Sequence, residues 1–408
     1  MTRRHTLALA SLLGSCTKRS DADTYVALVL AVGIHDPGYV DAYYGPPEHK
    51  KQAESDKLTL PNIRLQAQAF LDQIQTTDAL RRNFLTVQTR SLIRRTEMLE
   101  GKRFTFDEES KHLYDAIAPT IAESKFEEVL AKLEPLLPGP DPVSTRYAAW
   151  QKHFVVPPAR VDSIFRAAVD EARSITKRHI NLPMHESFRI EYVRGKVWSA
   201  YNWYQGNAQS LIQVNLDLPI SAGSIVPLAA HEGYPGHHVY NTLLEDRLVK
   251  IKGWREYTIY PLFSPQSTIA EGTAEYGIEL TFPERESIAF HEQVVFAKSG
   301  LDPKRTREYL TVQSLVKDLS HAHNQAARLF LDGKITKDAC LQYLERYALL
   351  TPAKAEQRVR FIQANRAYVI TYNHGQDLIR SFINSQADRW KEFEDLLCSP
   401  RLPSTLTR

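Results

Sequence analysis

The sequence predicts a mainly α-helical protein with one small antiparallel sheet just ahead of a candidate metal-site helix. Three observations predict it. Over residues 25 to about 180, segments rich in Leu, Ala, Gln, Glu and Arg carry apolar residues at spacings of three and four, clearest over 65–74 and 80–99. That period puts them on one helical face. Between 188 and 220 the pattern alternates instead, in Arg189-Ile190-Glu191-Tyr192-Val193 and Leu211-Ile212-Gln213-Val214-Asn215-Leu216, around an aromatic-rich stretch from 197 to 204. With bends at Gly195 and Gly206-Asn207, this reads as a meander. Helical patterning resumes near Pro227 and runs, with breaks, to about 397.

Three Pro/Gly clusters punctuate the chain: Asp36-Pro37-Gly38, Gly45-Pro46-Pro47 and Pro138-Gly139-Pro140-Asp141-Pro142. The last predicts a hinge or long loop near 137–143. The 408 residues allow one large domain or two medium ones. With no repeat and no low-complexity segment, a single helical domain over 17–408 is expected. Composition is that of a globular protein, 43% hydrophobic and 24% charged. The 51 basic and 48 acidic residues are interspersed and leave a net charge of +3, so neither a nucleic acid nor an acidic polymer is expected as partner. Cys16, Cys340 and Cys398 are too few and too scattered for a disulfide framework.

The N-terminus has the layout of an export signal. Arg3-Arg4 precede the apolar run Leu7-Ala8-Leu9-Ala10-Ser11-Leu12-Leu13, and Gly14-Ser15-Cys16 follow. Leu13-Gly14-Ser15-Cys16 resembles a bacterial lipobox. Residues 1–16 therefore read as a lipoprotein signal. The mature chain is expected in the periplasm or cell envelope, meeting a membrane only through a lipid on Cys16.

The chemistry concentrates in His231-Glu232-Gly233-Tyr234-Pro235-Gly236-His237-His238. In the zinc-hydrolase motif His-Glu-x-x-His, two His four apart share a helical face and the Glu works on a metal-bound water. Here the fourth position is Pro235. Six residues turn a straight helix by roughly 600°, and seven carry it roughly 10 Å along its axis. Neither His237 nor His238 meets His231 unless the helix bulges. Pro235 removes a helical N–H and Gly236 tolerates unusual dihedrals, so this pair permits the bulge. Deleting two residues restores His-Glu-x-x-His with His237 as second ligand; His238 stays open as an alternative. Forty residues after His231, Ile269-Ala270-Glu271-Gly272-Thr273-Ala274-Glu275-Tyr276 carries two carboxylates four apart. Zinc peptidases of the gluzincin type take a third ligand from such a distal helix. Glu271 is the expected ligand, and Glu275 a partner that orients a His.

At these residues the chain resembles a bacterial family catalogued as domain of unknown function 885. The stretches that carry the resemblance are Asp41-Ala42-Tyr43-Tyr44-Gly45-Pro46, Asn215-Leu216-Asp217-Leu218-Pro219, the His231 to His238 block, Tyr260-Pro261-Leu262-Phe263-Ser264-Pro265, Ala270-Glu271-Gly272-Thr273-Ala274 and Tyr372-Asn373-His374-Gly375. They cover most of the chain. The resemblance implies a large helical gluzincin-like metallopeptidase fold, with the carboxypeptidases similar to the Taq enzyme and thimet oligopeptidase as distant relatives. Those have His-Glu-Phe-Gly-His-Ala-Leu-Tyr. Aligning the Gly-His pairs again makes His237 the ligand.

The expected chemistry is hydrolysis of a peptide or small amide. Zinc on His231, His237 and Glu271 would hold a water, with Glu232 as general base. Tyr372 and His374, in a cluster read as a helix break, are the candidate oxyanion donors. His238 is expected in the substrate pocket if it is not a ligand. Asn202 and Asn207 are candidate substrate contacts on a strand edge, whereas Trp198 and Trp203 are expected to pack. Arg360 and Arg366 are candidates for a substrate carboxylate. Two other functions fit the same residues: a metal-dependent amidase or esterase on a non-peptide substrate, and a non-catalytic lipoprotein binding module.

Overall fold

The computed structural model describes residues 19–406 except Val197 and Leu218. The signal segment and Cys16 lie outside the described residues. The chain is mostly helical, with two small sheets. The helical periods at 65–74 and 80–99 fall in helices Leu60–Gln73 and Ala79–Leu99, the second capped by Asp78 accepting from the Arg81 N–H. Asp36-Pro37-Gly38 follows the end of helix Asp21–His35, and Pro47 opens helix Pro47–Asp56. The 137–143 cluster is a short loop before helix Val143–Gln151, tied down by Arg146, which donates to the carbonyls of Leu137 and Glu134. One buried apolar cluster reaches from Tyr25 to Leu406. Cys340 and Cys398 are free thiols. No helix among the described residues is long and apolar enough to cross a membrane.

The region from 188 to 220 does form three strands, but not an antiparallel meander. Strands β2 (Ser187–Val193), β3 (Ala200–Gly206) and β4 (Gln209–Asn215) lie in the order β2-β4-β3. β3 and β4 form an antiparallel hairpin, whereas β2 runs parallel to β4, so the sheet is mixed. Alternation reports which face a residue occupies; it does not report which strand is central. This order puts β4 in the middle and leaves β2 and β3 at the edges. The second sheet, β1 (Val40–Tyr43) paired antiparallel with β5 (Ile259–Pro261), is too short to give a sequence signal.

Helix Pro265–Thr281, here the carboxylate helix, is the centre of the molecule. Only Glu275, Ile278 and Glu279 escape full burial, as expected of a helix packed on every side. It lies against helix Ile370–Asn384, here the tyrosine helix. The two backbones touch where Gly272 meets Gly375: a Cβ on Gly272 would stand 2.6 Å from the Gly375 carbonyl. Tyr372-Asn373-His374-Gly375 is therefore no helix break. The segment is helical throughout, and its glycine serves the crossing.

Gly272→Ala should accordingly destabilise the protein by about 2 kcal/mol, the cost of forcing a methyl between packed backbones. Urea denaturation of this variant beside Gly38→Ala, whose Cβ would meet nothing closer than 3.9 Å, checks it. Equal midpoints would contradict the close crossing.

Candidate metal centre

Helix Ala222–Glu232 carries the first two candidate residues and begins ahead of Pro227, which it takes into its interior. Its end sets the site. The Gly233 N–H still bonds to the Ala229 carbonyl at 3.0 Å, an ordinary helical bond. The Ala230 carbonyl would next accept from residue 234. It accepts instead from the Gly236 N–H, also at 3.0 Å. Two residues are thus looped out, and the helix resumes as His237–Leu243 with His237 in the register of a fourth position. The Tyr234-Pro235 peptide within the loop is cis. Gly236 is obligatory, because a Cβ there would stand 1.8 Å from the His231 carbonyl oxygen. Pro235 packs on Gly277 of the carboxylate helix.

A buried carboxylate, Glu186, anchors the loop. It accepts from the Tyr234 hydroxyl, from His238 Nε2 at 3.0 Å, and from Arg173 and Lys177 at 2.7 and 2.9 Å. Burial works to raise its pKa; these four partners outweigh it and bring it to about 2. The other nitrogen of His238, Nδ1, lies 2.9 Å from Ser210 Oγ. Burial keeps this imidazole neutral, so Nε2–H donates to Glu186 and Nδ1 accepts from Ser210. His238 has no nitrogen left over and does not line the cavity described below. It holds the loop, contrary to the expectation of a pocket residue or alternative ligand.

The structure brings His231, His237 and Glu271 together. One ligand atom from each falls within 4.8 Å of the others. His231 Nε2 and His237 Nε2 stand 3.3 and 3.7 Å from Glu271 Oε2, with the rings at right angles. Glu271 Oε1 accepts from the Tyr368 hydroxyl at 2.8 Å, whereas Oε2 is buried without a hydrogen-bond partner. A buried oxygen left unpaired between two imidazole nitrogens fits a cation site. Glu275 Oε1 lies 3.2 Å from His231 Nδ1, the place of a carboxylate that orients a ligating ring. Burial disfavours a charge on His231, but Glu271 and Glu275 outweigh it and hold its pKa well above the ordinary value.

Glu232 is buried beside this cluster. Burial raises its carboxyl pKa, with His231 and His237 opposing. Its main-chain carbonyl accepts from Asn202 Nδ2 at 2.7 Å. A cavity of about 820 Å³ opens over the cluster, and Tyr372, Asn202, Tyr201 and Trp198 are among its walls. The Tyr372 ring lies 6.5 Å from that of His231, near parallel. Burial and the Glu271 charge keep its phenol protonated.

Several expected residues are elsewhere. His374 does not line the cavity; it sits on the other side of the tyrosine helix near Asp377 and His321, its pKa lowered to about 4 by burial. Arg366 binds Glu109 at 2.6 Å, and Arg360 is exposed on the far face of its helix. Asn207 occupies the β3–β4 turn. Trp203 is not packed but 44% exposed, with its ring tilted against that of Tyr201 at 4.6 Å. Four residues at or behind the site had not been singled out for it: Glu186, Tyr368, Asp41 and Arg358. Asp41 did sit in a family-like stretch, and Tyr368 lies one helical turn before Tyr372; neither Glu186 nor Arg358 carried any local signal.

No family profile and no curated protein matches the chain. Solved structures do. A proposed lipoprotein from Colwellia psychrerythraea aligns at TM-score 0.54 and 14% identity, over 94% of this chain and 73% of its own. A proposed lipoprotein of unknown function from Shewanella oneidensis aligns at 0.51 and 12%, over 95% and 82%. Metallocarboxypeptidase 1 of Trypanosoma cruzi aligns at 0.43 and 11%, over 95% and 89%. The likeness to the first two is one of fold.

The Glu186 anchor has a pH signature. Its folded pKa of about 2 lies below the ordinary 4.5, so its contribution is complete above 4.5 and is lost as pH falls from there toward 2. The loss is on the order of 3 kcal/mol. Urea midpoints between pH 6 and pH 3 should fall for the wild type and change less for Glu186→Gln. Parallel curves would show that Glu186 is not the group that titrates.

Proposed function

We propose that the chain is a zinc-dependent hydrolase that cleaves peptide bonds. The observation that carries this reading is the unpaired Glu271 Oε2 facing the Nε2 atoms of His231 and His237, with the Glu232 carboxyl beside them. Two imidazoles and a carboxylate make up a common catalytic zinc set. Zinc held there would supply a Lewis acid that acidifies a water and polarises a carbonyl.

The rest is work for the chain's own groups. Glu232 takes the proton of the attacking water on its carboxylate and returns it to the leaving nitrogen, so that water adds across the C–N bond. A carboxyl whose pKa is raised by burial suits both halves of that transfer. Tyr372, kept protonated, donates a hydrogen bond to the developing oxyanion. Glu275 fixes the His231 ring, Tyr368 fixes Glu271, and Asn202 holds the end of the His231-Glu232 helix. Among the described residues β3 pairs only with β4, and Ala200, Tyr201 and Asn202 of this edge line the cavity. Its free main-chain groups suit an extended peptide laid alongside as a further strand. Export and lipid attachment through Cys16 belong to the same proposal; the fold shared with two proposed lipoproteins agrees with them.

Metal analysis tests the reading. Protein purified without chelator should hold about one zinc per chain. His231→Ala, His237→Ala and Glu271→Ala should lose it, and Glu232→Gln should retain it while losing roughly a hundredfold or more in kcat. A wild-type protein that takes up no zinc when zinc is added would end the proposal.

A further inference from the structure

Besides the Glu232 carboxyl and the exposed Lys354, the wall of the cavity over the cluster carries two charged groups without an ion-pair partner among the described residues. The first is Asp41 of β1. It accepts from the Tyr201 hydroxyl, and no Lys or Arg among the described residues pairs with it. It lines the cavity and lies close enough to His237 to feel its charge. The second is Arg358 on helix Pro352–Asn365. Its guanidinium stands 5.3 Å from the Phe361 ring centroid and has no carboxylate partner among the described residues. It acts instead on Tyr372, the ring that lies over His231. Lys317 near this wall is taken, its Nζ 2.7 Å from Glu279, and Lys354, one turn before Arg358, is an exposed side chain at the cavity's rim. His323 lies beside Arg358, its Nδ1 buried without a partner.

An unpaired charge in a half-buried wall costs free energy that nothing in the fold returns. A ligand of complementary charge returns it. Asp41 reaches the cluster through His237, and Arg358 reaches it through Tyr372 and His231; the His231 and His237 rings are 4.6 Å apart. A ligand that satisfies both therefore crosses the His pair with its positive end toward β1 and its negative end toward the Pro352–Asn365 helix. The cluster itself is rich in carboxylates, with Glu232, Glu271 and Glu275 alongside Asp41. A ligand carboxylate is repelled there and finds its opposite charge at Arg358, with an N–H of neutral His323 to hand. The cavity of about 820 Å³ is of the size that encloses small ligands, roughly 300–1,000 Å³.

We propose that the site is built for short peptides with both ends free: Asp41 receives the ammonium terminus, Arg358 receives the carboxylate terminus, and the scissile bond lies between them beside His231, His237 and Glu271. This rests on the hydrolase reading for the reaction, but not for the binding. Amines without a carboxylate, and acids without an amine, satisfy only one pole.

The test uses pooled unmodified dipeptides and tripeptides with their N-acetylated and C-amidated counterparts. Retention by zinc-loaded Glu232→Gln protein is read by mass spectrometry after ultrafiltration, and cleavage is read with wild type. Free peptides should be retained roughly tenfold better than either capped set, the scale of one lost charged hydrogen bond. Arg358→Met, added to Glu232→Gln, should abolish the discrimination against amides alone. Asp41→Asn, added likewise, should abolish that against acetylated peptides alone. Zinc content and thermal midpoint verify that both variants fold. Equal retention of capped and free peptides, discrimination at one end only, or no retention of any pool would each overturn the two-ended site. Selective retention without cleavage by wild type would instead sink the hydrolase reading and leave the two-ended site standing.

Discussion

The hydrogen bond from the Gly236 N–H to the Ala230 carbonyl is the contact on which the site depends. It closes a helix over two looped-out residues, so that residue 237 returns to the face of residue 231. Without it the two imidazoles would point to different sides of a straight helix. The loop has polar atoms that a helix would not leave exposed, and it is buried. Glu186 takes up the Tyr234 hydroxyl and one nitrogen of His238, and Ser210 takes the other. Two adjacent histidines thus have separate duties: His237 faces the cavity, and His238 holds the backbone that aims it. Their directions differ by about one helical step of 100°.

The carboxylate helix imposes the second constraint. Because it is buried on nearly every side, each oxygen of Glu271 needs a partner. Tyr368 supplies one, and the imidazole pair faces the other. The close Gly272–Gly375 crossing brings Tyr368 and Tyr372 near enough to matter. A glycine that looked like a turn signal is therefore a packing device, and the tyrosines it positions stand against the site's carboxylate and imidazole.

Much of the site was legible because counting residues is enough to detect a two-residue insertion. His231, His237, Glu271 and Glu275 come together as their spacing suggested, and Tyr372 lines the same cavity although it was chosen from a helix break that does not exist. The failures have physical causes. Alternation could not order three strands, so a mixed sheet read as a meander. Tyr372-Asn373-His374-Gly375 read as a break because glycine weakens helices, yet here its lack of a side chain admits a neighbouring backbone. Arg360 and Arg366 were chosen where Arg358 faces the cavity; a shift of two residues on a helix turns a side chain through about 200°. Glu186 acts on residues some fifty positions away, and no local pattern reports such a contact.

The charge balance of the centre explains why the imidazoles and carboxylates can share a buried site at all. Glu232, Glu271, Glu275 and Asp41 lie around one cavity, which Lys317, Lys354 and Arg358 line as well. Burial pushes the carboxyls of Glu232 and Asp41 toward the neutral form, whereas at Glu271 the two imidazoles outweigh it. His231 answers this from between Glu271 and Glu275, which raise its pKa well above the ordinary value. A divalent cation would take over that role with greater charge, displacing the proton from the nitrogen it binds. The imidazoles and carboxylates are thus held together by their own electrostatics. Glu232, left out of the His231 ion pairs, is a carboxyl beside the cluster whose pKa burial leaves raised, as it does that of Asp41.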